Sequence, residues 1–217
     1  MIFVPSTTYQ SKNLPMKIFG IGRNYVEHIK ELGNERPDEP VIFLKPDTSL
    51  LRNNQPFYYP DFSNDIHHEL EIVLRISKEG KHIDEKFAPK YYDAIGIGID
   101  FTARDLQQKA KEKGLPWAIA KGFNGSAPVS EFLPKEDFDL QNLDFSLQVN
   151  GETRQQGNTS LMIFTFDYTI AYLSRFFTLK KGDLIYTGTP KGVAPVKPGD
   201  RLTAYIENKN LLDFEVK

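Results

Sequence analysis

The chain contains no cysteine. That excludes disulfides, thiolate zinc sites, iron–sulfur clusters and a cysteine nucleophile, and it fits a reducing compartment. Histidine is scarce, with four residues. The one adjacent pair, His67 and His68, would point to opposite faces of a strand, which makes poor joint zinc ligands. No run of about 18 apolar residues occurs, so no membrane-spanning helix is expected. No block of Arg and Lys resembles a groove that tracks nucleic acid, and the formal net charge is -2. The start, Met1-Ile2-Phe3-Val4-Pro5, is too short and uncharged for a signal peptide. Together these absences give the expectation of a cytoplasmic protein with no nucleic-acid and no membrane partner.

What is present is an ordinary globular composition. The chain has 217 residues, 40% hydrophobic and 26% charged, which is enough for one domain with a sizeable core. Residues 1–16 read as an N-terminal arm ending near Pro15. Residues 17–217 read as a single catalytic domain, with a lid at about 24–36 built on the short helical pattern Val26 to Leu32 and stopped by Gly33. Apolar strands are expected at 17–22, 41–44, 67–76, 92–100, 143–150, 184–187, 202–206 and 211–216, with Asn150-Gly151 as a type I′ hairpin turn. Helices are expected at 103–113, closed by Gly114, and from about Ile163. The order is mostly strands with a few short helices and no βαβ alternation. It predicts a mixed α+β, mostly β fold, and Gly96 and Gly98 in mid-strand suit a curled sheet.

Chemistry concentrates in a few places. Glu69 and Glu71 are two apart on a strand and therefore share a face; a strand with one wet face would carry the same pattern. Asp100 ends an apolar strand, and Lys121 sits in a glycine-broken loop. Three carboxylates could supply three of six octahedral oxygens to a hard cation, Mg²⁺ or Mn²⁺. His28 and Glu31 share a helix face and form a candidate acid–base dyad, although such pairs are also ordinary helix decoration. The turn Thr187-Gly188-Thr189-Pro190-Lys191-Gly192 offers hydroxyls and backbone N–H groups to a carboxylate or phosphate oxygen, but it lacks the spacing of a P-loop. Arg23, Arg104 and Lys121 could meet a carboxylate substrate, and Gln107 lies on the same helix face as Arg104. The aromatic stripe from Phe164 to Phe177 is helix packing, and part of it suits an interface.

Taken in order, these segments resemble the fumarylacetoacetate hydrolase family. The resemblance is to its small single-domain branch, which includes acylpyruvase and oxaloacetate decarboxylase. It is carried by Gly22-Arg23-Asn24-Tyr25, His28 with Glu31, Phe43-Leu44-Lys45-Pro46, His68-Glu69-Leu70-Glu71 and Asp100-Phe101-Thr102-Ala103-Arg104-Asp105. Gly114-Leu115-Pro116-Trp117, Ala120-Lys121-Gly122-Phe123, Asn150-Gly151, Met162-Ile163-Phe164 and Thr187 to Val193 continue it. The resemblance implies Glu69, Glu71 and Asp100 as metal ligands, with Mg²⁺ or Mn²⁺ as cofactor. It implies His28 and Glu31 as the dyad of a lid, Lys121 as the active-site lysine, and Arg23, Tyr25, Arg104, Gln107 and Thr189 along the substrate pocket, with backbone N–H groups near Gly188. It implies a curled mixed-β roll of the family's C-terminal domain type, and a homodimer.

The implied reaction is metal-dependent cleavage of an acylpyruvate, a 1,3-diketo acid, into pyruvate and a carboxylic acid, with oxaloacetate decarboxylation as a second reaction. His28, oriented by Glu31, would activate water against the distal carbonyl, and the pyruvate enolate would leave. Two rival readings stand beside it. One is an isomerase or decarboxylase of unsaturated diacids, of the 2-hydroxyhepta-2,4-diene-1,7-dioate or 5-oxopent-3-ene-1,2,5-tricarboxylate kind. The other is a non-catalytic metal-binding protein.

Overall fold

The computed structural model describes residues 17–27 and 36–217. The expected arm over 1–16 and much of the expected lid, with His28 and Glu31, lie outside the described residues. In chain order the strands are β1 (Ile18–Gly22), β2 (Val41–Lys45), β3 (Leu50–Leu51), β4 (Ile66–His68), β5 (Leu70–Ile76), β6 (Tyr92–Ile99), β7 (Thr102–Ala103), β8 (Ala127–Pro128), β9 (Leu133–Pro134), β10 (Asp144–Val149), β11 (Glu152–Asn158), β12 (Leu184–Tyr186), β13 (Ala194–Pro195), β14 (Arg201–Ile206) and β15 (Lys209–Glu215). Helices that lie wholly among the described residues accompany them, α1 (Arg104–Lys113), α2 (Ala118–Lys121) and α3 (Phe166–Phe176). No helix among the described residues is long and apolar enough to cross a membrane.

Two larger sheets carry the fold. One has six strands in the order β2-β1-β12-β5-β6-β9 and is mixed: β1 and β12 run parallel, and its other pairs are antiparallel. The other is antiparallel, in the order β11-β10-β14-β15. Alternation decides what meets between them. Leu70, Ile72, Leu74 and Ile76 of β5 join Ile95, Ile97 and Ile99 of β6 in one core with Phe145, Leu147, Leu202, Ala204, Leu212 and Phe214 of the second sheet. The opposite face of β5 is covered as well, because Val73 packs with Ile18, Val129, Leu184 and Tyr186. The face carrying Glu69 and Glu71 is therefore not wet.

Local signals mostly act as expected. Asn150 and Gly151 both take positive φ, as a type I′ turn requires. Gly114 closes α1 in the left-handed region. Helix α3 starts three residues later than its periodicity suggests, because Thr165 is its N-cap and accepts from the Tyr168 amide.

The expectation of a curled roll needs correction. The fold is mixed and mostly β, but no sheet among the described residues is strongly curled, and β2 and β9 stand at opposite ends of the six-strand order. The mid-strand glycines that suggested curling have another cause. A Cβ on Gly98 would lie 2.6 Å from the Tyr186 ring and 2.9 Å from the Pro128 carbonyl oxygen, and one on Gly96 would lie 3.0 Å from Ser130 Oγ. These glycines admit close neighbours onto the sheet; they do not bend it. Gly98→Ala should accordingly lower stability by about 1–3 kcal/mol in urea unfolding. Gly22→Ala, whose Cβ would meet only ordinary contacts at 3.6–3.7 Å, should change it by less than about 1 kcal/mol. Equal losses would remove close packing as the reason for Gly98.

Candidate metal centre

The end of the β5–β6 ladder builds the site. Glu71 sits in β5 opposite Gly98, and Leu70 lies opposite Ile99. One step further, the Asp100 amide donates to the Glu69 carbonyl at 2.8 Å. Asp100 thus stands opposite Glu69, and Glu71 stands two residues along from Glu69 on the same face. Glu69 itself falls in the short break between β4 and β5. The result is a cluster of three buried carboxylates whose oxygens lie within 4.8 Å of one another.

Such a cluster needs positive charge. Lys121, at the end of α2, reaches Glu69 Oε2 at 2.7 Å and Asp100 Oδ2 at 2.5 Å and donates to Thr102 Oγ1 at 2.6 Å. Burial opposes its charge, but Asp100 and Glu69 outweigh burial and leave its pKa above the ordinary lysine value. Arg104, at the start of α1, donates to Glu69 Oε1 at 2.5 Å and to Gln107 Oε1 at 2.6 Å. Thr102 donates to the Asp100 carbonyl, and Ala103 holds the cap position of that helix without a side-chain bond.

Lys45 was given no role by sequence reasoning. It is fully buried, 2.7 Å from Asp100 Oδ1, and donates to Ser126 Oγ, to the Ser126 carbonyl and to the Lys121 carbonyl. Burial lowers its pKa against the pull of Asp100.

The other expected residues divide. Arg23, Glu69, Glu71, Arg104, Gln107, Lys121 and Thr189 line one narrow cleft, together with Lys111 and Trp117. Lys111 has a lowered pKa, by burial first and then by repulsion from Arg104 and Arg23, so the mouth of this cleft is crowded with positive charge. Tyr25 is buried with its ring edge-on to Phe145, and burial followed by Glu71 pushes its phenol pKa up. The Gly188 amide donates to Glu71 Oε2 at 2.7 Å, so it holds a carboxylate and does not face the cleft as an open donor.

The donor set fits a hard divalent cation. It offers only carboxylate oxygens, and the pKa of Glu71 is raised well above the ordinary carboxylate range by burial and then by Asp100 and Glu69. A cation among the three would relieve both effects.

Comparison with known proteins agrees with this geometry. A sequence model described as "Fumarylacetoacetate (FAA) hydrolase C-terminal" matches residues 17–217. The chain is 45% identical over 198 residues to "Oxaloacetate tautomerase FAHD1, mitochondrial" of Bos taurus, covering 91% of this chain and 90% of that protein. It is 49% identical over 185 residues to "Oxaloacetate decarboxylase, mitochondrial" of Dictyostelium discoideum, covering 84% and 85%. The crystal structure of fumarylpyruvate hydrolase from Pseudomonas aeruginosa in complex with Mn²⁺ and pyruvate superimposes with a TM-score of 0.89 at 34% identity, covering 100% of this chain and 98% of that one. The buried carboxylate centre and these relatives together place the chain among metal-dependent enzymes. Within that class, the chain belongs to the fumarylacetoacetate hydrolase family.

Metal binding can be read from stability. Saturating Mn²⁺ or Mg²⁺ should raise the melting temperature of the wild type by about 5 °C or more. Glu71→Gln should lose most of that shift, since a neutral amide is a poor ligand for a hard cation. Equal shifts in the two proteins would place the ion elsewhere.

Proposed function

We propose that the protein is a divalent-metal-dependent enzyme that breaks a C–C bond in short 2-oxo acids. It would hydrolyse acylpyruvates to pyruvate and a carboxylic acid, and decarboxylate oxaloacetate. Glu69, Glu71 and Asp100 would hold Mg²⁺ or Mn²⁺. The observation that carries the reading is the carboxylate cluster set inside a cationic rim. Lys45, Lys121 and Arg104 pair with Glu69 and Asp100, and Glu71 is held by the Gly188 amide, so three cations stand against three carboxylates in the centre as a whole. Adding a divalent cation leaves an excess of two positive charges in that group, and Lys111 lies beside it at the mouth. A small acidic anion offsets part of that excess.

When bound, the cation supplies a Lewis acid for the keto oxygen and the developing enolate charge. The chain's own residues do the rest. Lys121 and Arg104 fix the carboxylates, and Arg23 and Gln107 orient the substrate's acidic end. His28, oriented by Glu31, takes a proton from water as its oxygen attacks the C4 carbonyl. The C3–C4 bond breaks, its electron pair passes to C3 as pyruvate enolate, and protonation at C3 gives pyruvate. In oxaloacetate the same bond breaks with loss of CO₂, and no water adds.

A second reading, oxaloacetate tautomerisation, is favoured by the name of the bovine relative. It moves a proton between C3 and the C2 oxygen and breaks no C–C bond. A single catalytic domain, a homodimeric assembly and a cytoplasmic location complete the proposal, and sedimentation at micromolar concentration tests the assembly.

The discriminating assay couples pyruvate release to Mg²⁺ or Mn²⁺ on acetylpyruvate, fumarylpyruvate and oxaloacetate, with ultraviolet absorbance following enol–keto exchange. His28→Ala should lower acylpyruvate hydrolysis by about a hundredfold or more and leave oxaloacetate decarboxylation within about tenfold. Equal losses would remove His28 as the base that activates water. Enol–keto exchange without pyruvate release would select the tautomerase reading.

A further inference from the structure

Strand β11 is exposed over much of its length, yet Gln155 within it is 1% exposed. The cause is a bulge. Leu147 pairs with Gln155 while Gln148 pairs with Thr153, so Arg154 is the extra residue and the register shifts. Bulges re-aim side chains, and this one sends Gln155 from the second sheet toward the cleft. Gly192 (φ 94) closes the approach from the other side, since a Cβ there would meet the Arg154 carbonyl oxygen at 2.2 Å.

The amide of Gln155 has only one orientation. Its Oε1 accepts from the Leu70 backbone N–H at 2.9 Å, a group that can only donate. Its Nε2 donates to the Pro190 carbonyl at 2.9 Å, a group that can only accept, and to Thr189 Oγ1 at 2.8 Å. The same Oε1 lies 2.9 Å from His68 Nδ1, which must then carry its proton. Thr189 Oγ1 is therefore an acceptor toward Gln155, and its own proton must go elsewhere. The Pro190 carbonyl is a poor target at 3.4 Å and already takes the better bond from Gln155. The remaining direction is the cleft, which Thr189 lines with Glu69, Glu71, Arg104 and Lys121.

We propose that Gln155 is a positioning residue that turns the Thr189 hydroxyl proton into the cleft, so that Thr189 donates to an anionic oxygen of the substrate. This rests on the keto-acid reading above. It adds a specificity element, because a fixed donor favours a carboxylate or enolate oxygen over a hydroxyl or amide N–H at that point.

The test is pyruvate binding by calorimetry to the Mn²⁺-loaded protein, in a double-mutant cycle. Thr189→Val and Gln155→Met should each weaken pyruvate by about ten- to a hundredfold, the scale of one hydrogen bond to a charged group. Thr189→Ser should recover most of that loss. The double variant should bind no more weakly than Thr189→Val alone. If Gln155→Met costs the same factor with Thr189 intact as it does on top of Thr189→Val, Gln155 is a packing residue and the proposal is overturned. A Thr189→Val protein that binds pyruvate as the wild type does would also overturn it, and that result needs no Gln155 variant to fold. A wild type that binds Mn²⁺ but no pyruvate would overturn the keto-acid reading and this inference together.

Discussion

Three carboxylates held within 4.8 Å of one another and buried repel by about 3–4 kcal/mol per pair at that distance in a medium of effective dielectric near 20. Much of what surrounds them answers that repulsion. Lys121 bridges Glu69 and Asp100, Lys45 takes the other oxygen of Asp100, Arg104 takes the other oxygen of Glu69, and the Gly188 amide serves Glu71. Each partner comes from a different element, so the charge cluster ties β2, α1, α2 and the turn after β12 to the end of the β5–β6 ladder. A buried charge network this dense contributes little net stability when fully paired, and costs several kcal/mol when one member is removed. Its value is chemical: it keeps three carboxylates converged.

The second layer of the structure holds the first in place. Asn24 is fully buried; it donates to the Thr187 and Phe164 carbonyls and accepts from the Phe164 amide. It thereby locks the cleft wall carrying Arg23 to the turn that carries Gly188 and Thr189. Gln155 performs the matching task from the opposite sheet. Neither side chain need touch the reacting atoms for the geometry to depend on both.

The sequence made much of this legible. A Glu-x-Glu pair on a strand, an aspartate ending the next apolar strand and a lysine beside a glycine break were each visible alone, and antiparallel pairing of the two strands is what joins them. Gly114 and Asn150-Gly151 stopped and turned the chain as their chemistry requires. Long-range facts were hidden. Lys45 lies 76 residues from the Lys121 carbonyl it bonds, and nothing in the local pattern tells a buried lysine from one facing water. Gln155 could not be found, because its burial depends on a bulge that appears only when β10 and β11 pair. The curl was misread for the same reason: glycine signals permission for a close approach, and Tyr186, the neighbour that uses it at Gly98, comes from a distant strand.

The parallel pairing of β1 with β12 has a consequence for synthesis. Strand β5 sits between β6 and β12, and the Gly188 amide that holds Glu71 lies 117 residues further along the chain. All three carboxylates, Lys45 and Lys121 have therefore left the ribosome well before the strand that completes their sheet exists. Until then the edge of β5 that β12 will cover has no neighbour. Assembly of the centre is thus a late, cooperative event governed by contacts between distant segments, which is the regime of slow folding.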